Sequence, residues 1–115
     1  MITDYDVKRS GQRIKNELIV GVKTTKTNSE SKLAYTVDLS RGGMKIASPM
    51  LFLSVGEQLE VIVTRAGEKV VFSGDVKRKD GIHFIDRIRR SGNAYFIGIE
   101  DSEFHKFVAD NFYIF

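Results

Sequence analysis

No cysteine occurs in these 115 residues, only one proline, and only two histidines, His83 and His105. Without cysteine there is no disulfide, no thiol nucleophile and no Cys-ligated zinc. A chain of this length needs no such staple, since folding at this size buries roughly 65% of the unfolded surface. Two histidines offer little to metal-dependent hydrolysis or to a His-based triad. No apolar run approaches the ~18–20 residues of a membrane-spanning helix. The first ten residues lack the apolar centre of a signal peptide. Gly67-Glu68-Lys69 lacks the upstream glycine and the following Ser or Thr of a phosphate-binding loop. These absences predict a single-domain, unexported, cytoplasmic protein that is not an enzyme.

What is present is an ordinary globular composition, 42% hydrophobic, with a net charge of +3. The charge is uneven. Residues 1–26 carry +3, residues 77–90 carry +4 and residues 100–115 carry −3. An anionic ligand would seek the first two regions and avoid the third. A solvated surface accounts for the same charges on composition alone.

Apolar residues alternate along most of the chain, which predicts strands. They fall at about 15–25, 33–39, 44–46 running to Pro49, 57–65, 69–78 and 94–100. Turn signals separate them: a polar stretch over 24–32, Ser40-Arg41-Gly42-Gly43 with its paired glycines, and Arg65-Ala66-Gly67-Glu68. Met50–Val55 is apolar at consecutive positions and reads as a buried loop or helical turn. Ile82, Phe84 and Ile88 extend apolar character into the charged segment 79–93. The tail changes period: Phe104, Phe107, Val108 and Phe112 lie at helical spacing, with Asp101 or Ser102 as N-cap. Six short strands must close or stack to hide their edges. The expected fold is mainly β, a six-stranded antiparallel barrel with a C-terminal helix and a flexible N-terminal arm; a two-layer sandwich is the competitor.

Two short patterns remain. Arg9-Ser10-Gly11-Gln12-Arg13 places two arginines four apart before the first strand. Asp38-Leu39-Ser40-Arg41-Gly42-Gly43 ends the second strand. Each is common alone, the latter often being just a turn. Together, in this order and 25 residues apart, they resemble the PilZ domain family, whose bacterial members bind the second messenger cyclic di-GMP. Arg9 and Arg13 fit its R-x-x-x-R arm; Asp38, Ser40 and Gly43 fit its D/N-x-S-x-x-G turn. Gly56, Gly74-Asp75-Val76-Lys77-Arg78 and Ile97-Gly98-Ile99 look like later family signposts. The resemblance spans about residues 8–112. One departure is Asp101, where the family often carries an aromatic.

The resemblance implies a six-stranded barrel over 14–115, a ligand-binding arm over 1–13, and Arg9, Arg13, Asp38, Ser40 and Gly43 as ligand-binding residues. Lys8, Arg41, Gly42 and Arg78 are secondary candidates. The residue chemistry agrees independently. Guanidinium groups bond bidentately to phosphate or to guanine O6 and N7, and stack on bases. A carboxylate such as Asp38 accepts from guanine N1–H and N2–H together, whereas adenine offers only N6–H. Glycines let backbone approach a base. No cofactor or metal is expected. The implied partners are cyclic di-GMP and a protein that reads the ligand-ordered arm. Two other functions fit the same chain: a small barrel binding single-stranded nucleic acid through basic grooves and its Phe and Tyr faces, and a ligand-free protein-interaction scaffold. Most of the aromatics read as core. His83, His105 and the cluster Arg87, Arg89, Arg90 read as structural or solvated. Phe112–Phe115 either packs on the barrel or forms a partner surface.

Overall fold

The computed structural model describes residues 14–15, 17–24, 30–65 and 67–112, without the side chains of 14, 15, 65 and 112. Its strands are β1 (Ile14–Lys15), β2 (Ile19–Thr24), β3 (Lys32–Ser40), β4 (Gly43–Ser48), β5 (Gln58–Arg65), β6 (Glu68–Ile85) and β7 (Arg90–Gly98). One helix, α1 (Ser102–Phe112), follows. The strands pair antiparallel in the order β3-β2-β5-β6-β7-β4, and β4 pairs back onto β3. Six strands thus form a closed ring. β1 lies beside β3, on the edge that β2 also occupies. The expected barrel is present and the sandwich is not.

Alternation explains which side chains point inward. Val20 and Val22, Leu59, Val61 and Val63, Met44 and Ile46, and Ile97 and Ile99 are all buried in one core. Thr36 closes the break between β1 and β2. Its Oγ1 accepts from the Leu18 amide at 2.7 Å, and its own amide donates to the Leu18 carbonyl at 2.9 Å.

The barrel is covered at two places. In the segment before β5, Leu51 and Leu53 are buried. The buried Tyr95 hydroxyl accepts from the Leu53 amide at 3.0 Å and donates to the Leu51 carbonyl at 3.3 Å. The expected buried loop or helical turn over 50–55 is only half right. The segment forms no helix; Met50 and Phe52 are exposed because only alternate residues reach the core, and Val55 is exposed because it lies in the turn at Gly56. In α1, Phe104 and Val108 are fully buried, and Phe104 meets Phe72 edge to face at 5.1 Å. Asp101 is the N-cap, its Oδ1 accepting from the Glu103 amide at 2.9 Å. The helix therefore docks through Phe104 although no aromatic stands at 101.

β6 is longer than the sequence pattern implied, running through the charged segment to Ile85. Its tip folds back over the outer face of the barrel. Ile85 packs with Ala47 and Ala94, flanked by Tyr35, Val37 and Ile88. Glu17 clamps the tip: its carboxylate accepts from the Asp86 amide at 3.1 Å and the Arg87 amide at 2.8 Å. Ile82 and Phe84 are in the strand but exposed, as is Phe52, so fewer aromatics are core than their spacing suggested. Among the described residues, no helix is long and apolar enough to cross a membrane.

Replacing Phe104 with Ala deletes a fully buried ring at the barrel–helix junction. Urea unfolding should register a loss of about 3–5 kcal/mol; a loss under 1 kcal/mol would mean that α1 is not part of the core.

Candidate functional site

The turn joining β3 to β4 carries the D-x-S-x-x-G residues. Ser40 is buried, and its Oγ donates to the Gly43 carbonyl at 3.4 Å, bracing the turn from within. The Gly42 carbonyl accepts from the Ile99 amide at 2.9 Å, which ties the turn to the exit of β7. The two glycines differ. A side chain at Gly43, which has φ +154°, would overlap the Ile97 carbonyl oxygen of β7. Gly42 is exposed with open space around it and has no positive φ. Of the paired glycines, only Gly43 takes a positive φ. Arg41 is exposed at the apex.

Asp38 is half-buried on the outer face, and the strand register sets its neighbours. Asp38 is opposite Lys15 of β1 and Lys45 of β4; Lys45 is opposite Phe96 of β7; Phe96 is opposite Arg78 of β6. Directly opposed residues in antiparallel strands share a face. From Asp38 to Arg78 a single row of side chains thus crosses four strands, β3, β4, β7 and β6. Arg78 is 56% exposed and sits over the Phe96 ring, 4.7 Å from its centroid. The sequence offers Arg78 only as a secondary candidate; the register puts it in the same row as Asp38.

Asp80 joins this row out of step. The β6–β7 register shifts between Lys79 and Ile82, a bulge that includes Gly81 at φ +76°. Bulges re-aim side chains, and this one brings Asp80 to both cations. Oδ1 accepts from Arg78 Nε at 2.8 Å, and Oδ2 lies 3.5 Å from Lys45 Nζ. Oδ2 is buried without a hydrogen bond among the described residues, so Lys45 acts on it through charge rather than an aligned bond. Burial alone would push the Asp80 carboxyl up. The hydrogen bond and charge of Arg78, with the Lys45 ammonium, outweigh burial and hold its pKa below the ordinary carboxylate value.

Arg9, Arg13 and Lys8 lie outside the described residues, as does the rest of the arm. The described backbone begins one residue after Arg13, with Ile14 opposite Leu39. Sequence reasoning missed Lys45, Phe96 and Asp80. Lys45 and Phe96 carry no motif and become visible only through register. Asp80-Gly81 is a turn-type dipeptide between the period-two run of 69–78 and Ile82 and Phe84, which within one strand is a signal of a bulge. A groove of about 370 Å³ beyond Gly98 is large but lined by Asp75, Glu100 and Asp101 with Lys77, an acidic wall unsuited to an anion.

The model of the PilZ domain matches residues 7–95. The chain belongs to the PilZ domain family. Among solved structures, it is similar to the PilZ domain of CeSA from a cellulose-synthesizing bacterium, with 21% identity and a TM-score of 0.58 over 87% of this chain and 92% of that one. It is also similar to the Bacillus subtilis inhibitor of motility MotI/DgrA, with 14% identity and a TM-score of 0.62 over 90% of this chain and 48% of that one. A third similar structure is the K. pneumonia MrkH–c-di-GMP complex, with 14% identity and a TM-score of 0.67 over 92% of this chain and 50% of that one. This PilZ chain spans about half the length of the last two. At these identities the likeness establishes the PilZ fold. No curated protein matches the sequence.

Two outcomes follow from this geometry. Gly43→Ala should cost about 3 kcal/mol of unfolding free energy because the β4–β7 seam must part, whereas Gly42→Ala should stay within about 0.5 kcal/mol; equal costs in denaturant titrations would refute the seam contact. The depressed Asp80 pKa gives stability that is fully present above the unfolded value of about 3.9 and lost as pH falls through the folded value. The stability gap between wild type and Asp80→Asn should therefore narrow below about pH 4, and a gap constant from about pH 6 to about pH 2.5 would contradict the pairing.

Proposed function

We propose that this PilZ domain is a receptor for cyclic di-GMP, not an enzyme, and that it signals in the bacterial cytoplasm by presenting a ligand-ordered surface to a partner protein. The observation that carries the reading is the juxtaposition of Asp38 with the Ser40–Gly43 turn and, along the same row, with Lys45 and Arg78, in a chain whose residues before Ile14 carry the paired arginines. Family membership supports the ligand class, and so does the presence of c-di-GMP in the similar MrkH complex.

In this reading the chain divides into a ligand-binding arm, residues 1–13, and a barrel with helix, residues 14–115. The β1–β3 register keeps the chain just after Arg13 beside the motif. Arg9 and Arg13 contribute guanidinium forks to phosphates and to guanine O6 and N7. Asp38 accepts from N1–H and N2–H of one guanine. Adenine leaves that carboxylate half satisfied, and a buried mismatch of that kind is strongly rejected. Ser40 and Gly43 hold the turn at the height that admits the base. Lys8, Arg41 and Gly42 border the same place. Ligand binding draws the arm onto the face and makes it part of the surface that the partner reads.

Calorimetric titration tests the reading. Cyclic di-GMP should bind and cyclic di-AMP should not. Combined replacement of Arg9 and Arg13 by Ala should weaken binding at least about 100-fold, since each charge-assisted hydrogen bond is worth about 1.5–3 kcal/mol, with an unchanged melting curve. Amide exchange over residues 5–14 should slow on adding ligand. Absence of heat with either dinucleotide would remove the receptor reading.

A further inference from the structure

The row that starts at Asp38 runs through β4 and β7. The other way round the ring, the outer face carries an apolar patch that neither the core nor the ligand reading uses. Leu33 of β3 is opposite Gly21 of β2, Gly21 is opposite Ile62 of β5, and Ile62 is opposite Val71 of β6. Leu33 is 53% exposed, Val71 is 49% exposed and Ile62 is half-buried. Two residues further along the same strands, Lys23 of β2 is opposite Glu60 of β5. Opposed residues share a face, as do residues two apart in one strand. The patch thus has an apolar centre and a charged rim, the anatomy of a protein interface.

Gly21 is the residue that the fold of a single chain leaves unexplained. It has no positive φ. β2 keeps unbroken register with both neighbours through it, so it serves no bulge. A Cβ there would meet Ser31 at 3.4 Å and Ile62 at 3.5 Å, ordinary contact distances. Glycine weakens a strand interior, and where no bend requires it, it marks close approach by another molecule. Here it leaves a notch in the apolar row beside Ile62.

The notch and the charges fit a second copy of the same patch. Two sheets pack face to face with nearly aligned strands, about 10 Å apart. A two-fold axis along the strands, midway between β2 and β5, sets Ile62 of each copy over Gly21 of the other. The same axis sets Leu33 over Val71 and Lys23 over Glu60, since these residues stand at equal steps on either side of it. Every pairing is then matched in size or in charge, and the contact closes on itself. We propose that this face is a homodimer interface, with two copies of the chain meeting through β2 and β5. The inference does not depend on the cyclic di-GMP reading.

Sedimentation velocity of the full chain without ligand, from micromolar to near-millimolar protein, tests it. Wild type should show a monomer–dimer equilibrium. Gly21→Val fills the notch and should weaken dimerisation at least about tenfold, while its melting temperature stays at or above that of wild type because strands favour Val over Gly. Lys23→Glu and Glu60→Lys each set like charges against one another across the axis, so each alone should stay monomeric. Mixed in equal amounts, the two charge variants should dimerise again, because each supplies the charge that the other lacks. Mixing cannot restore a pairing made within one chain, so this recovery reads the contact between copies. The charge variants leave the core untouched and decide the matter if Gly21→Val does not fold. Wild type that is monomeric at every concentration would overturn the interface. So would a dimer indifferent to Gly21→Val and to the charge reversals, or a mixture that stays monomeric.

Discussion

Closure of the ring through β4 is the constraint on which the rest of the molecule depends. This six-residue strand is hydrogen-bonded to β3 on one side and β7 on the other. It enters through Gly43, the residue that tolerates the Ile97 carbonyl where a side chain would meet it. A one-residue slip of β4 would turn Met44 and Ile46 out of the core and Lys45 into it. The burial of those two apolar residues therefore fixes the register, and the register aligns Asp38, Lys45, Phe96 and Arg78. The outer face owes its geometry to the inner one.

The face also shows how a small net charge is put to use. Cations and carboxylates alternate along it, with Arg78 and Lys45 facing Asp80 and Lys45 opposite Asp38. The groove beyond Gly98 carries mostly carboxylates, in keeping with the acidic tail of the chain. An anion approaching the barrel meets one side that it can use and one that repels it. Volume alone would choose the wrong side; charge and hydrogen-bonding groups choose the other.

Much of this is legible in the sequence. The period-two runs at 33–39 and 57–65 correspond to β3 and β5, and the helical spacing of Phe104 and Val108 to α1, because burial on one face writes its period into the sequence. Asp38, Ser40 and Gly43 are visible because turn residues keep their spacing. Lys45, Phe96 and Asp80 are not, since the first two are neighbours of Asp38 and Arg78 only through pairing and the third is re-aimed by a bulge that breaks the alternation. The exposure of Phe52 and Phe84 is hidden for a related reason: an aromatic at an apolar-looking position does not say whether anything covers it. Glu17 gives no signal either, because its partners are backbone amides nearly 70 residues away in sequence.

β1 pairs with β3 on the edge that β2 also occupies, outside the ring. Each of the six ring strands pairs with a neighbour on both sides. The ring therefore offers no unpaired strand edge for another chain to extend, and whatever meets its outer face must be recognised by side chains rather than by free backbone.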